Sequence, residues 1–172
     1  IRVLLVDDHQ MMRQGLRALL SAETDIEIVG EAADGRTALD LVRTLLPDVV
    51  VMDIGMPDLN GIEATRQIRT QHAKVRVVAL STHTDKRYVH HMLEVGACGY
   101  VLKVAAHVEL VRAVRAASLG KTYLSPEIAG MVVERSTSAH AGGAVSAHST
   151  LGADAAVHDD GETAPSRQAA SS

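Results

Sequence analysis

Carboxylate, hydroxyl and ammonium side chains directly follow four short apolar runs of this chain. The four positions are the pair Asp7-Asp8 after residues 3–6, Asp53 after residues 49–52, Ser81 after residues 77–80, and Lys103 after residues 100–102. Each run is typical of a strand buried on both faces of a parallel sheet, and the carboxyl ends of such strands meet at one edge. We therefore expect these side chains to form one charged pocket at that edge.

The three carboxylates of this predicted pocket determine its chemistry. Carboxylates that lie close together repel each other, and a hard cation such as Mg²⁺, which takes oxygen ligands, neutralises them. Lys103 adds a fixed positive charge for an anion, and Ser81 adds a hydroxyl donor. A nucleophilic Asp beside a metal, a Lys and a hydroxyl suits phosphoryl transfer onto Asp53. Any one of these residues alone is more typical of a helix cap or a salt bridge, but their coincidence at four strand ends favours the site.

The elements that must position these residues alternate along the chain. Apolar runs predict strands at residues 2–7, 26–29, 49–53, 75–80 and 98–102. The spacing of apolar residues predicts helices at 9–22, from Asp34-Gly35 to Pro47, around 62–68, from a cap at Thr84-Asp85 to Gly96, and near 106–118. Five strands alternating with five helices indicate an α/β domain with a doubly wound, parallel five-stranded sheet.

Composition limits the class of protein further. The chain has 172 residues and a formal net charge of −4, which gives no support to nonspecific binding of nucleic acids or anionic membranes. No apolar run approaches the roughly 20 residues of a membrane span, and no signal peptide is visible, so a cytoplasmic protein is expected. The single Cys98 excludes an internal disulfide and is interpreted as a small buried thiol.

The character of the sequence changes after Gly120. We predict a domain at residues 1–119, a linker at 120–135 and a low-complexity tail at 136–172. Ser125-Pro126 is a favourable helix start, and a short helix to about Arg135 is expected. The tail has few large apolar residues and is predicted to be disordered. It lacks the apolar periodicity and basic character of a helix-turn-helix domain, so no direct DNA binding is expected from this chain.

Taken together, these features resemble the receiver domain of bacterial two-component response regulators. The matching residues are Asp7-Asp8, Asp53 within the stretch from Met52 to Gly61, Ser81, Tyr100 and Lys103. The resemblance extends from Ile1 to about Ser118, and the stretches 6–9 and 120–126 are similar to the NarL/FixJ (LuxR-type) subfamily. It implies a flavodoxin-like (βα)5 fold, a sensor histidine kinase as partner, homodimer formation on phosphorylation, and a function in the control of transcription.

The resemblance also implies how the acidic residues act. Asp53 is expected to accept a phosphoryl group from the kinase. Asp8, Asp53 and the backbone carbonyl of Gly55 are expected to bind Mg²⁺, with Asp7 acting largely through water. A receiver takes part in its own phosphorylation and dephosphorylation, so the chain is not expected to be an enzyme in the ordinary sense.

A second group of residues is implied to sense the phosphoryl group. Ser81 and Lys103 are expected to contact its oxygens, and Tyr100 is expected to swing inward as Ser81 moves. Gly55 and His83 occupy positions that flank the phosphoryl group, where Gly55 leaves access for water and His83 is interpreted as a partly exposed loop residue. The pair His90-His91 could suggest a metal site, but adjacent residues of a helix point about 100° apart, which favours a solvated surface pair.

Two alternative functions remain open at the level of sequence. A Mg²⁺-dependent aspartyl phosphatase of the haloacid dehalogenase type also places a nucleophilic Asp at a strand end. Such a phosphatase is expected to carry a second Asp two residues later, where this chain has Gly55. The other alternative is a stand-alone receiver that acts only through contacts with other proteins.

Overall fold

A parallel sheet forms the centre of the protein, described here by a computed structural model for residues 1–132. Its strands are β1 (Arg2–Val6), β2 (Glu27–Ala32), β3 (Val49–Asp53), β4 (Arg76–Ser81), β5 (Gly99–Leu102) and β6 (Tyr123–Leu124). The strands lie in the order β2-β1-β3-β4-β5-β6, and all pairs are parallel. The predicted flavodoxin-like α/β fold with its doubly wound sheet is confirmed.

Helices follow the first five strands and cover both faces of this sheet. They are α1 (Gln10–Ser21), α2 (Gly35–Leu45), α3 (Gly61–Gln71), α4 (Lys86–Glu94) and α5 (Ala106–Ser118), with a 3₁₀ turn at Lys103–Ala105 and a helical segment at 126–132. Helices α1 and α5 pack on one face, and α2, α3 and α4 pack on the other. Within residues 1–132, none of the helices has the length and apolar character needed to cross a membrane.

Three helices begin at side-chain caps that the local sequence supplies. Asp34, Asn60 and Asp85 accept hydrogen bonds from backbone N–H groups in the first turns of α2, α3 and α4, at 2.8, 3.0 and 2.8 Å. Such caps satisfy N–H groups that have no partner within the helix. Helix α2 ends at Leu46, which has a positive φ of 46°, immediately before Pro47, as the proline predicted.

The central strand β3 fixes the position of the most important carboxylate. All five of its residues are buried, and it pairs with β1 on one side and β4 on the other. Full burial of an aliphatic side chain contributes about 1.5–3 kcal/mol, so the register of this strand is strongly specified. Because Met52 pairs with Val6 and Asp53 pairs with Leu80, the residues after β1 and β4 lie beside Asp53.

The sheet has six strands, which corrects the prediction of five. In the additional strand β6, Tyr123 N–H donates to the carbonyl of Cys98 at 3.0 Å, and Ser125 N–H donates to the carbonyl of Tyr100 at 2.9 Å. A strand of two residues has no measurable apolar alternation, so its sequence carries no strand signal. The expected helix to about Arg135 is present over 126–132, while its remainder and the tail predicted to be disordered lie outside the described residues.

Candidate functional site

Asp7, Asp8 and Asp53 form an acidic cluster with His9 at the carboxyl ends of β1 and β3. One ligand atom from each of these four residues lies within 4.8 Å of the others. Asp7 is completely buried and Asp53 is 2% exposed. Burial of a carboxylate is unfavourable unless a cation or hydrogen-bond donors compensate its charge. The pairing of parallel strands therefore concentrates negative charge in a region of low solvent access.

Lys103 supplies the positive charge of the cluster. Its Nζ lies 2.8 Å from Asp7 Oδ2 and 3.1 Å from Asp53 Oδ2, and its side chain is 8% exposed. Burial lowers the pKa of Lys103, but hydrogen bonding and attraction to the two carboxylates outweigh it, so the pKa lies above its usual value. The ammonium therefore remains charged at neutral pH.

The environment of Asp53 differs from that of an exposed carboxylate. Burial raises the pKa of Asp53, and the negative charge of Asp7 raises it further. The N–H of Gly55, which donates to Asp53 Oδ1 at 3.1 Å, and the charge of Lys103 oppose this shift. Burial and Asp7 thus disfavour the ionised form of Asp53, while the Gly55 N–H and Lys103 favour it.

This cluster has the chemistry of a site for a hard divalent cation. Three buried oxygens, Asp7 Oδ2, Asp8 Oδ1 and Asp53 Oδ2, are contacted, among the described residues, only by the Lys103 ammonium and the ring of His9, which form ion pairs with them. A bound cation would give their remaining lone pairs a partner. Carboxylate oxygens are the ligands that Mg²⁺ and similar cations prefer. Gly55 is exposed, and a Cβ there would meet only Asp53 Oδ1, at 3.8 Å, so the approach to the cluster from this side is open.

His9, which precedes α1, and Arg13 within α1 hold the acidic pair in place, and we did not assign them this role from the sequence. His9 N–H donates to Asp7 Oδ1 at 2.8 Å, and its ring Nδ1 lies 3.0 Å from Asp8 Oδ1. The guanidinium of Arg13 donates to the carbonyl of Asp7 at 2.7 Å. The position of His9 directly after the two Asp residues and the helical spacing to Arg13 were the signals available in the sequence.

Gly61 is a second structural requirement, which we named from the sequence only as the end of the stretch that begins at Met52. A Cβ at this position would lie 2.1 Å from the carbonyl oxygen of Asp53 and 2.8 Å from the Cα of Ile54. Its N–H donates to the carbonyl of Ile54 at 3.2 Å. The start of α3 therefore packs directly against the backbone that carries Asp53, and only glycine allows this approach.

Ser81 and Tyr100 meet at the next strand ends through one residue of the β4–α4 loop. Ser81 is 1% exposed, and its Oγ accepts a hydrogen bond from His83 N–H at 2.9 Å. Tyr100 is completely buried, and its hydroxyl donates to the carbonyl of His83 at 2.8 Å. Burial raises the pKa of Tyr100, which keeps the hydroxyl protonated as a donor at neutral pH. The inward position of the tyrosine is thus fixed to the loop that follows Ser81.

The remaining histidines that we considered lie at the surface. The ring of His83 is exposed and stacks on Tyr88 of α4, with ring centres 4.7 Å apart and planes inclined by 15°. His90 and His91 are exposed, and His90 Nε2 lies 2.8 Å from Glu94 Oε1, one turn further along α4. This arrangement is that of a solvated surface pair.

Cys98 is less buried than expected. It is partly exposed, and its thiol donates to the carbonyl of Val77 at 3.4 Å. Partial burial raises the pKa of this thiol, which keeps it protonated and unreactive at neutral pH.

Comparison with known proteins identifies the family to which this arrangement belongs. Residues 3–115 match the response regulator receiver domain family. The transcriptional regulatory protein LiaR of Bacillus subtilis is 44% identical over 135 residues, which cover 78% of this chain and 64% of LiaR. The transcriptional regulatory protein DegU of Brevibacillus brevis is 41% identical, over 74% of this chain and 54% of DegU. The chain thus spans less than two thirds of the length of these curated relatives.

Solved structures of similar proteins agree with this assignment. A LuxR-family two-component response regulator from Aurantimonas sp. SI85-9A1 superposes with a TM-score of 0.76 at 39% identity, covering 79% of this chain and 97% of that protein. The receiver domain of Thermotoga maritima CheB superposes with a TM-score of 0.65 at 35% identity, over 69% of this chain and 96% of that domain. With the matched residues covering most of the chain, this protein belongs to the response regulator receiver domain family, and its relatives are regulators of the LuxR/NarL type.

Proposed function

We propose that the chain accepts a phosphoryl group on Asp53 from a sensor histidine kinase. The observation that carries this proposal is the position of the Lys103 ammonium, 2.8 Å from Asp7 Oδ2 and 3.1 Å from Asp53 Oδ2, between two buried carboxylates. A lysine in this position can bind an oxygen of an incoming phosphoryl group, and its charge favours the ionised form of Asp53. Membership of the receiver family makes a phosphohistidine of a partner kinase the natural donor.

In the proposed reaction, one oxygen of the Asp53 carboxylate attacks phosphorus. The P–N bond of the phosphohistidine breaks as the P–O bond forms, and the imidazole nitrogen keeps the electron pair of the broken bond. In-line attack of this kind depends mainly on positioning and on charge stabilisation. The N–H of Gly55, 3.1 Å from Oδ1, holds the carboxylate in one orientation, and Lys103 stabilises negative charge on the transferred group.

Mg²⁺ is the cation that we assign to the acidic cluster. Asp7, Asp8, Asp53 and the backbone carbonyl of Gly55 are the groups that would hold it. When bound, it neutralises charge on the phosphoryl oxygens. The ligand atoms of Asp7, Asp8 and Asp53, which lie within 4.8 Å of one another, support this assignment.

We further propose that Ser81 and Tyr100 transmit the presence of the phosphoryl group to the protein surface as a change in conformation. Ser81 and Tyr100 both bond to His83, so a change in the position of the Ser81 hydroxyl reaches the aromatic ring through one residue. An added phosphoryl dianion supplies the differential interaction that such a two-state element needs.

The partners and output of the whole protein are proposals from the same relationship. A sensor histidine kinase supplies the phosphoryl group, and phosphorylation favours a homodimer. The relatives LiaR and DegU are transcriptional regulatory proteins, so control of transcription in the cytoplasm is the proposed output. The stand-alone receiver remains the second candidate, since the described residues form only the receiver and the segment 121–132.

Phosphorylation by a small acyl phosphate tests the assignment of Asp53. Intact-mass spectrometry of the chain incubated with acetyl phosphate and Mg²⁺ should show the addition of one phosphoryl group. Asp53→Asn should remove this addition completely, because an amide is not a nucleophile for this step. The matched control is Asp58→Asn, which changes an exposed aspartate of the adjacent loop and should retain labelling. Labelling of the Asp53→Asn variant would contradict the proposal, and turnover of phosphate monoesters would favour the phosphatase alternative.

A further inference from the structure

Ser125 joins the end of β5 to helix α5 from within the segment that follows the receiver. It is 1% exposed. Its N–H donates to the carbonyl of Tyr100 at 2.9 Å, and its Oγ accepts from Leu102 N–H at 3.2 Å. The same hydroxyl donates to the carboxylate of Glu109 in α5. A buried side chain with this many partners holds the surrounding backbone in one arrangement, because loss of any partner leaves a buried polar group unsatisfied.

Ile128 attaches the same segment to the switch side of the domain. It is completely buried in an apolar cluster that also contains Tyr100, Leu102 and Met92. Burial of an isoleucine side chain contributes about 1.5–3 kcal/mol. The helical segment 126–132 is therefore packed against the element that carries the inward tyrosine.

These two contacts act on residues next to the proposed phosphoryl site. Leu102, whose N–H bonds to Ser125, immediately precedes Lys103, and Tyr100, which shares the cluster of Ile128, bonds to the loop after Ser81. We propose that Ser125 and Ile128 are positioning residues for phosphoryl binding. The docked segment holds Lys103 toward the acidic cluster and Tyr100 in its inward position. This proposal rests on the proposed function of Asp53, and neither residue contacts the reacting atoms.

Thermodynamic linkage gives the proposal a second consequence. If docking of 126–132 favours the conformation that binds the phosphoryl group, a bound phosphoryl group must favour docking by the same factor. Occupation of the site should therefore slow amide hydrogen exchange in residues 126–132. A contact that served stability alone would show no more slowing than amides elsewhere in the sheet, because a bound ligand stabilises the whole fold.

The test uses the full 172-residue chain and beryllofluoride, a mimic of the phosphoryl group. Affinities for Mg²⁺ alone, and for beryllofluoride at saturating Mg²⁺, are measured for Ser125→Ala and Ile128→Ser. We expect beryllofluoride affinity to fall by about 5-fold or more, the lower range of measured couplings. Mg²⁺ affinity should remain within about 2-fold, because Asp7 and Asp8 follow β1 and Asp53 ends β3, away from the segment.

Control variants separate positioning from general damage. Ser118→Ala and Leu119→Ser change exposed residues near the same segment and should leave both affinities unchanged. Ile128→Val should retain most of the beryllofluoride affinity that Ile128→Ser loses, since it keeps the buried contact.

Three results would overturn the inference. They are unchanged beryllofluoride affinity in both variants, an equal loss of Mg²⁺ and beryllofluoride affinity, and unchanged hydrogen exchange at 126–132 on binding. If the unmodified chain and Asp53→Asn failed alike to bind beryllofluoride, the proposed function itself would fall. Binding by the unmodified chain together with unaffected variants would overturn only the positioning role.

Discussion

The acidic cluster and the switch residues occupy the same edge of the sheet but are held in different ways. In the cluster, Asp7 and Asp53 are buried and share the single ammonium of Lys103. Among the switch residues, Ser81 and Tyr100 are neutral, and both bond to the backbone of His83 in an exposed loop. The cluster therefore brings like charges together on buried backbone, whereas the switch connects a buried ring to an exposed loop.

This difference predicts whether a substitution in each region should change mainly the stability of the fold or mainly local mobility. Substitutions in the buried backbone and charged groups of the acidic cluster should change the free energy of unfolding strongly. These closely packed groups cannot rearrange without a large energetic cost. Changes in the switch should affect stability little and local mobility more, because an exposed loop has few buried contacts to lose.

Gly61→Ala should have the largest effect on the free energy of unfolding, because Gly61 packs against the backbone that carries Asp53. The new methyl group would overlap the carbonyl of Asp53, which lies 2.1 Å from its ideal position, and backbone atoms cannot move aside at low cost. We expect a loss of roughly 3 kcal/mol or more in the free energy of unfolding, measured in urea. Gly15→Ala is the matched control, since no atom lies within 4 Å of a Cβ at this exposed helical position. Gly15→Ala should be neutral or stabilising. Equal effects of the two substitutions would contradict the close packing of Gly61 against the backbone of Asp53.

Asp53→Asn should raise the free energy of unfolding, by less than Gly61→Ala lowers it. The pKa of Asp53 is raised on folding, so the folded state binds its proton more readily than the unfolded state. Stability from this group therefore falls as the pH rises from 3.8 through the folded pKa, and the penalty is complete above it. Without divalent cations, the variant should unfold a few degrees higher at pH 7, and the difference should vanish below pH 3.8.

Asp25 provides a comparison, because its pKa is lowered in the folded protein whereas the pKa of Asp53 is raised. Arg115 holds the pKa of this exposed carboxyl at about 2 through a hydrogen bond. Its contribution to stability is present above the unfolded pKa and is lost as the pH falls through the folded value. Asp25→Asn should therefore lower the melting temperature at pH 7. If Asp53→Asn also lowered it, the repulsion that we ascribe to the cluster would be wrong.

Tyr100→Phe should have the smallest effect on stability. The change removes the hydrogen bond to the carbonyl of His83 at 2.8 Å while keeping the ring, which costs about 1 kcal/mol. Amide exchange in residues 82–85 should become faster, because the loop loses its attachment to β5. Tyr123→Phe, at a half-buried position in β6, should leave this exchange unchanged. Unaltered exchange in Tyr100→Phe would show that the loop does not depend on the tyrosine.

Sequence reasoning was sufficient for the fold and for the edge at which the polar residues gather. Strands buried on both faces leave uninterrupted apolar runs, and caps and prolines mark the helix ends, as at Asp34, Asp85 and Pro47. The roles proposed for Asp53, Ser81, Tyr100 and Lys103 came from the family resemblance together with their positions at strand ends. Strand β6 escaped notice because two residues are too few for a periodic signal.

The one-dimensional pattern of apolar and polar residues determined that acid, hydroxyl and amine would emerge at the same side of a parallel sheet. Tertiary structure alone decided that Lys103 lies between Asp7 and Asp53, that Gly61 touches the backbone of Asp53, and that Ser125 closes the end of β5. The physical reason is distance along the chain. Periodicity records which face of its own element a residue occupies, whereas contacts between residues far apart in sequence depend on how the elements pack.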